Sequence, residues 1–279
     1  NLGEHGRVVP HPLSGNDFWR AAGVAAAVLA LVGIGFATGV VTLANLSQVT
    51  TLIILVASVC YFAIMLRSPR VDATERTRVR AFIPLFIANA VFWSLFQQMF
   101  TVLAVYSDER VNWSIFGWTA PSNWVGSIEP VWIILLSPVF AVLWTKLGRR
   151  APTTPRKFAY GVIGMGCAFL LFLVMAGTTG RSVPVLVVVA IMAVFAVSEL
   201  LLSPIGLSVT TQLAPNAFRA QMMALYFFSV GLGTAMSGVL SKYYDAAHEA
   251  AYFGIIGAAA VVVGLVVWAL APRISRLME

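Results

Sequence analysis

Two carboxylic acids, Glu129 and Glu199, stand inside long apolar stretches of this 279-residue sequence. A carboxylate in an apolar medium is costly, so an acid that persists there usually faces a cavity or a partner. No Lys or Arg lies deep within these stretches. Burial therefore favours the neutral acids, and each could take up and release a proton near neutral pH. For Glu129, which is near the end of its stretch, reaching the interface is the alternative.

Polar and aromatic side chains accompany these acids. Ser203 follows Glu199 by about one helical turn, and Pro204 predicts a helix break beside it. Trp93 and Gln97 occupy another apolar stretch and share one helix face, since they are four residues apart. For Gln97, a structural hydrogen bond between helices and a contact with a substrate are both open.

Long apolar stretches must position these residues. The sequence is 59% hydrophobic and only 10% charged, whereas a soluble domain has about 25% charged residues. A helix crosses a membrane with about 20 apolar residues. Helices are expected because lipid cannot satisfy an open sheet edge. The predicted spans are residues 21–43, 48–66, 81–106, 126–145, 158–178, 183–205, 220–241 and 250–271.

The basic residues are distributed unevenly between alternate connections. Of the 18 Lys and Arg residues, only Arg110, Arg181 and Lys242 belong to one set of connections, and the rest belong to the other set or the termini. Basic residues are enriched in cytoplasmic loops, so this asymmetry predicts that both ends of the chain are cytoplasmic. It also explains the net charge of +7 without nucleic-acid binding.

The same pattern suggests an all-α membrane protein with a two-part organisation. A very short turn at 44–47 makes the first two spans a hairpin, and a charged segment separates them from six further spans. The predicted regions are a cytoplasmic loop at 1–20, a two-helix linker hairpin at 21–66, a basic cytoplasmic linker at 67–80 and a six-helix bundle at 81–279.

Neither cofactor nor metal chemistry is indicated. Cys60 and Cys167 lie in separate apolar spans without the spacing of metal ligands. His5, His11 and His248 fall in connections, where scattered surface histidines are expected. The aromatic residues of the outer loop, Trp113, Phe116, Trp118 and Trp124, are interpreted as membrane-interface anchors.

Three segments resemble the proton-dependent oligopeptide transporter family, a branch of the major facilitator superfamily. FIPLFIANAVFWSLFQQ at 82–98 is similar to the seventh helix of that family. SELLLSPIGLSVTTQLAP at 198–215 resembles the tenth helix and its exit, and QMMALYFFSVGLGTAMSG at 221–238 resembles the eleventh. Bacterial members have two linker helices between their six-helix halves, and the first two spans fit that place. The resemblance thus implies a C-terminal six-helix bundle preceded by a two-helix transmembrane hairpin.

The resemblance implies proton-coupled symport of di- and tripeptides across a bacterial cell membrane by alternating access. Glu199 matches the acid that family members use toward the peptide amino group, and Ser203 lines the same face. Trp93 matches an aromatic residue of the cavity wall. Tyr226 stands where many members have Trp.

Two positions depart from the family pattern. Many members have a seventh-helix acid where this sequence has Gln97, which cannot titrate. Many have Asn before an eighth-helix proline, where this sequence has Glu129 before Pro130. We hypothesise that Glu129 takes over part of the role of the missing acid.

Several expectations concern what lies outside the sequence. Residue 1 is Asn rather than Met, so we expect an upstream N-terminal six-helix half to complete the cavity. The substrate remains open between peptides and another small anionic or zwitterionic solute such as nitrate. A membrane enzyme or receptor is a third possibility, although no nucleophile–base set, metal-ligand set or large output domain indicates one.

Overall fold

The computed structural model describes residues 15–115 and 117–278, without the side chains of residues 21 and 149. Residues 1–14 of the predicted N-terminal loop, with His5 and His11, and Phe116 of the outer loop lie outside this description. Within it, the α-helices are α1 (Gly15–Ala37), α2 (Leu46–Arg67), α3 (Ala73–Phe96), α4 (Val102–Arg110), α5 (Val125–Leu147), α6 (Thr154–Leu171), α7 (Val185–Leu213), α8 (Arg219–Leu240) and α9 (Glu249–Arg276).

The chain divides into two compact units, residues 1–49 and 50–279. In the first unit, α1 begins at Gly15, so the predicted loop at 1–20 ends earlier than expected. Residues 38–45 then form the connection to α2, in which the Asn45 side chain accepts from Thr42 N and donates to Val40 O. The pairing of the two spans as a hairpin stays a prediction.

Eight helical stretches of the described chain are long and apolar enough to cross a membrane. They coincide with the eight predicted spans, which confirms the all-α membrane class. Their ends differ by several residues, and some helices extend beyond the apolar core into charged residues. For example, α9 continues to Arg276 rather than ending near residue 271.

The basic linker predicted at 67–80 is shorter than expected, because α3 begins at Ala73. Asp72 caps this helix by accepting a hydrogen bond from Glu75 N at 2.7 Å. Glu75 Oε2 in turn accepts from Asp72 N at 3.4 Å, which completes a capping box. The charged residues of this segment therefore form the first turns of a helix rather than a loop.

Two helix interruptions differ from the sequence-based expectation. The span predicted at 81–106 is interrupted by a 3₁₀ turn at Gln97–Phe100, between α3 and α4. Conversely, the helix break predicted at Pro204 is wrong, since α7 runs through this residue to Leu213. A proline removes one backbone hydrogen bond, and a membrane helix tolerates that loss where neighbouring groups compensate.

The core of the second unit lies between α3, α6, α7, α8 and α9. Helix α6 packs against α7 and α9, α3 packs against α8, and α5 packs mainly against α7. Phe169, Phe195 and Phe253 are fully buried where α6, α7 and α9 meet. This arrangement holds α7, which carries Glu199, between α5 and α6.

The connection between α4 and α5 is a folded loop. Its strand β1 (Val111–Asn112) pairs in parallel with β4 (Val183–Pro184), and β2 (Ser114–Ile115) pairs with β3 (Trp118–Thr119). Trp113 is buried in this loop and donates from Nε1 to Ser107 O at 3.0 Å. Trp113 is therefore a core residue of the loop, whereas Trp118 and Trp124 are about half exposed. The interpretation of these residues as membrane-interface anchors stays a prediction for Trp118 and Trp124.

Candidate carboxyl-pair site

Helices α5 and α7 bring the two acids predicted from the sequence together. Trp132 of α5 donates from Nε1 to Val189 O of α7 at 2.9 Å, which attaches the two helices to each other. The carboxyl group of Glu129 then lies close enough to that of Glu199 for a direct hydrogen bond between them. Residues 70 positions apart in the sequence thus form one carboxyl pair.

The two acids differ in their surroundings. Glu129 is 3% exposed, whereas Glu199 is half-buried. The Oε1 atom of Glu129 accepts no hydrogen bond within the described part of the chain. Neither acid forms an ion pair with a described Lys, Arg or His. A carboxyl pair without a cation can hold a proton between its members or accept an ammonium group.

Tyr226 of α8 lies beside the face of α7 that carries Glu199. Glu199, Ser203 and Gly206 follow one another at helical spacing along that face. The Tyr226 ring fills the space beside Gly206, where a Cβ atom would meet Tyr226 Cε2 at 2.5 Å and the phenol oxygen at 3.0 Å. The glycine therefore leaves room for the phenol ring, which lies within electrostatic reach of Glu199.

Trp93 of α3 and Gln97 of the turn that follows it both contact α8. A Cβ atom at Gly233 would lie 2.7 Å from Trp93 Cβ and 2.5 Å from Ala90 O, so the glycine permits this close approach. Trp93 is half-buried, and its Nε1 has no hydrogen-bond partner among the residues described. Gln97 donates from Nε2 to Thr234 Oγ1 at 3.3 Å.

The contact of α8 with α3 and the turn after it contains further buried polar groups, which are not among the predicted site residues. Asn89 is fully buried and donates from Nδ2 to Ser229 Oγ at 2.6 Å. Gln98 is also buried and donates from Nε2 to Ser237 O at 3.4 Å. An amide side chain within an apolar span indicates that a hydrogen-bond partner lies nearby. Which residues of α8 supply the partners depends on the packing of the helices.

A buried ion pair joins α4 to the start of α9, whereas the carboxyl pair lies on α5 and α7. Arg110 of α4 donates from Nε and Nη2 to the two carboxylate oxygens of Glu249 at 3.1 and 2.6 Å. Burial raises the pKa of the neighbouring Tyr244 phenol, and the Glu249 charge adds to this shift. Exposed Asp245 accepts from His248 and from Ala247 N, and these hydrogen bonds lower the pKa of its carboxyl group.

The described residues contain no group of three or more His, Cys, Asp and Glu side chains that could hold a metal ion. Cys60 and Cys167 are exposed and unpaired with each other. The candidate site accordingly consists of carboxyl, amide, hydroxyl and aromatic groups.

Comparison with known proteins identifies the fold and the family. The family model described as the POT family matches residues 38–262. The "Uncharacterized transporter YclF" of Bacillus subtilis (strain 168) is 38% identical to all of this chain, which covers 57% of that protein. The "Di-/tripeptide transporter" of Lactococcus lactis subsp. cremoris is 36% identical over 84% of this chain and 48% of its own length.

A crystal structure of a variant of the peptide transporter POT in complex with alafosfalin superimposes with a TM-score of 0.88. It is 41% identical, and the match covers 100% of this chain and 57% of that one. The chain thus spans about half the length of the relatives it matches. The family resemblance and the major facilitator fold expected from the sequence are both confirmed, and this chain belongs to the POT family of membrane transporters.

Proposed function

We propose that this chain is the C-terminal part of a proton-coupled symporter of di- and tripeptides. Family membership supports a transport function. The Lactococcus relative is named a di-/tripeptide transporter, and a similar structure contains alafosfalin. Because the chain covers about half of these proteins, the activity belongs to the whole protein that contains it. An upstream N-terminal six-helix half would supply the other wall of the cavity.

The observation that carries this proposal is the contact of Glu129 with Glu199, in which no Lys, Arg or His of the described chain takes part. A carboxylate at this place can bind the ammonium group of a peptide, and its neighbour can bind a proton. Glu199 would bind the amino group, since it is the more accessible acid. Glu129 would hold the coupling proton close to it. Proton uptake and peptide binding would then depend on the same pair of side chains.

The remaining candidate residues would shape the cavity around this pair. Ser203 continues the Glu199 face, and Tyr226 lies against that face. Trp93 contributes its indole edge. Its Nε1–H could donate a hydrogen bond to the peptide, since no described residue accepts one from it. Gln97 would contribute a neutral amide, because its side chain cannot carry the proton. None of these roles requires a covalent step, so we propose a transporter without enzymatic activity.

We place the protein in the plasma membrane of a bacterial cell, with both ends of this chain in the cytoplasm. The unequal distribution of Lys and Arg supports this orientation. Ion pairs also join connections that are predicted to lie on the same side of the membrane. Arg110 contacts Glu249, and Arg181 contacts Asp108, all four of them from the Lys/Arg-poor side.

The proposal is tested with the whole purified protein in proteoliposomes. An inward proton gradient should drive uptake of a labelled dipeptide, and an ionophore that collapses the gradient should abolish accumulation. Unlabelled di- and tripeptides should compete, while nitrate and free amino acids should not. Competition by nitrate alone would contradict peptide transport and favour an anion facilitator. Equal accumulation of the dipeptide with and without a proton gradient would contradict proton coupling.

A further inference from the structure

Another buried carboxylate, Glu75, lies at the start of α3 and contacts a different part of the bundle. Its side chain is 9% exposed. Oε1 accepts from Asn216 N at 2.9 Å and from Asn216 Nδ2 at 3.1 Å. Asn216 belongs to the short connection between α7 and α8. Glu75 thereby joins the beginning of α3 to the point where the chain passes from α7 into α8.

The orientation of the Asn216 amide is determined by its neighbours. Arg219 donates from Nη2 to Asn216 Oδ1 at 2.6 Å. A guanidinium group only donates hydrogen bonds and a carboxylate only accepts them. The amide oxygen must therefore face Arg219, and the amide nitrogen must face Glu75. No rotated amide would satisfy both partners.

The contact with Asn216 is separable from helix capping. In the capping box of α3, Glu75 uses Oε2, while Oε1 receives both hydrogen bonds from Asn216. Capping concerns the stability of one helix end. The bonds to Asn216 cross 141 residues of sequence and concern the placement of three helices.

Those three helices carry most of the candidate site. Trp93 lies on α3 and Gln97 begins the turn that follows it, Glu199 and Ser203 lie on α7, and Tyr226 lies on α8. Resting on the proposed function, we propose that Glu75 and Asn216 are positioning residues for peptide binding. Their contact holds the α7–α8 pair in register with α3, and so sets the gap between the Glu199 carboxylate and the Trp93 indole.

The sharpest test is exchange of the donor and the acceptor. Asn216→Asp is nearly isosteric and keeps an oxygen for Arg219, but it sets a second carboxylate against Glu75. In the double variant Glu75→Gln/Asn216→Asp, the new glutamine NH2 can take the place of Oε1 and donate to the new aspartate, while its oxygen keeps the capping bond from Asp72 N. The bond from the backbone N–H of position 216 is lost. The double variant should therefore restore the side-chain bond between positions 75 and 216.

Dipeptide uptake by the whole protein in proteoliposomes gives the first measurement. We expect Asn216→Asp to raise the KM for dipeptide about fivefold, because contacting residues couple by about 1 kcal/mol. The maximal rate should change less than the KM, and the double variant should recover part of the KM increase, because the side-chain bond between positions 75 and 216 is restored. A folded Asn216→Asp protein with an unchanged KM, or a double variant without rescue, would overturn the proposal.

A capping variant supplies the matched control. Asp72→Ala removes the acceptor for Glu75 N but leaves both bonds to Asn216 in place. It should lower the thermal unfolding temperature and leave the KM unchanged. A KM shift as large as that of Asn216→Asp would show that any damage to this helix end alters binding, and would overturn the specific role of Asn216.

A second measurement does not depend on transport. Spin labels at the exposed positions Ile87 of α3 and Leu207 of α7, after replacement of the exposed Cys60 and Cys167, report the distance between the two helices. We expect Asn216→Asp to broaden or shift this distance and the double variant to restore it. An unchanged distance would overturn the proposal that the contact of Glu75 with Asn216 positions α7 against α3. Absence of uptake by the unaltered protein would contradict only the proposed function.

Discussion

Two buried acids of this bundle, Glu249 and Glu129, have nearly equal exposure and opposite partners. Glu249 is 5% exposed and receives two hydrogen bonds from the Arg110 guanidinium. Glu129 is 3% exposed and faces the carboxyl group of Glu199. Burial alone therefore does not distinguish an ion-paired structural acid from a candidate functional acid in this protein.

The difference lies in how the charge is compensated. A bidentate guanidinium satisfies both oxygens of Glu249 and holds α4 to α9 in one geometry. Glu129 retains a buried oxygen without a partner in the described chain. An acid in that state can respond to a proton or to a cationic ligand, which a compensated acid resists. Four substitutions test this contrast.

The largest effect should follow Glu249→Gln, which leaves Arg110 buried without its counter-charge. Breaking a buried pair from one side destabilises proteins by about 3 kcal/mol or more. Thermal unfolding in detergent should show this loss, with the KM for dipeptide unchanged in the protein that remains folded. Arg181→Gln is the control, since it removes an exposed pair with Asp108 at the same end and should have little effect.

Glu199→Gln should have the next largest effect, on transport rather than on stability. A charge-assisted hydrogen bond to an ammonium group contributes up to about 3 kcal/mol, so gradient-driven uptake should fall about 100-fold. The unfolding temperature should stay close to that of the unaltered protein. Uptake within twofold of the original would contradict the binding role of Glu199.

Glu129→Gln should reduce gradient-driven uptake about tenfold, because one acid of the pair remains. The loss should be smaller for peptide exchange measured without a proton gradient. Glu109→Gln, which alters an exposed acid of α4, is the matched control and should transport normally. Full gradient-driven uptake by Glu129→Gln would end the hypothesis that this residue replaces the missing seventh-helix acid.

The smallest effect should follow Asp245→Asn in the exposed connection before α9. Hydrogen bonds from His248 and Ala247 lower the pKa of the folded Asp245 carboxyl group. Its stabilising contribution is thus present above the pKa of the unfolded chain, about 3.9, and is lost as the pH falls through the lower folded value. Unfolding temperatures of the two proteins should differ slightly at pH 7 and converge as the pH falls below the lowered pKa of folded Asp245. A loss equal to that of Glu249→Gln would contradict the contrast between exposed and buried charges.

The contrast was partly predictable. Glu129 and Glu199 could be selected from the sequence because they interrupt long apolar spans that contain no other acids. Glu249 could not be assigned to a buried ion pair, since it stands at a helix end where acids are usually solvated. Only the packing of α4 against α9 buried it with Arg110.

Local signals also had limits within single helices. Pro204 predicted a break that the packed α7 does not contain, while the interruption at Gln97–Phe100 had no proline to announce it. Similarly, the charged residues 73–80 suggested a linker, but the capping box of Asp72 and Glu75 makes them helical. Tertiary contacts decided these cases, because they can supply or withhold the hydrogen-bond partners of the backbone.

The sequence by itself determined the membrane class, the eight spans and the family. These features depend only on the linear chain: on span length, on charge asymmetry and on the segments at 82–98, 198–215 and 221–238. The tertiary structure alone decided which polar groups meet. Glu129 with Glu199, Gln97 with Thr234, and Glu75 with Asn216 are contacts between helices. Their geometry depends on how the helices cross and rotate, which hydrophobic periodicity leaves open.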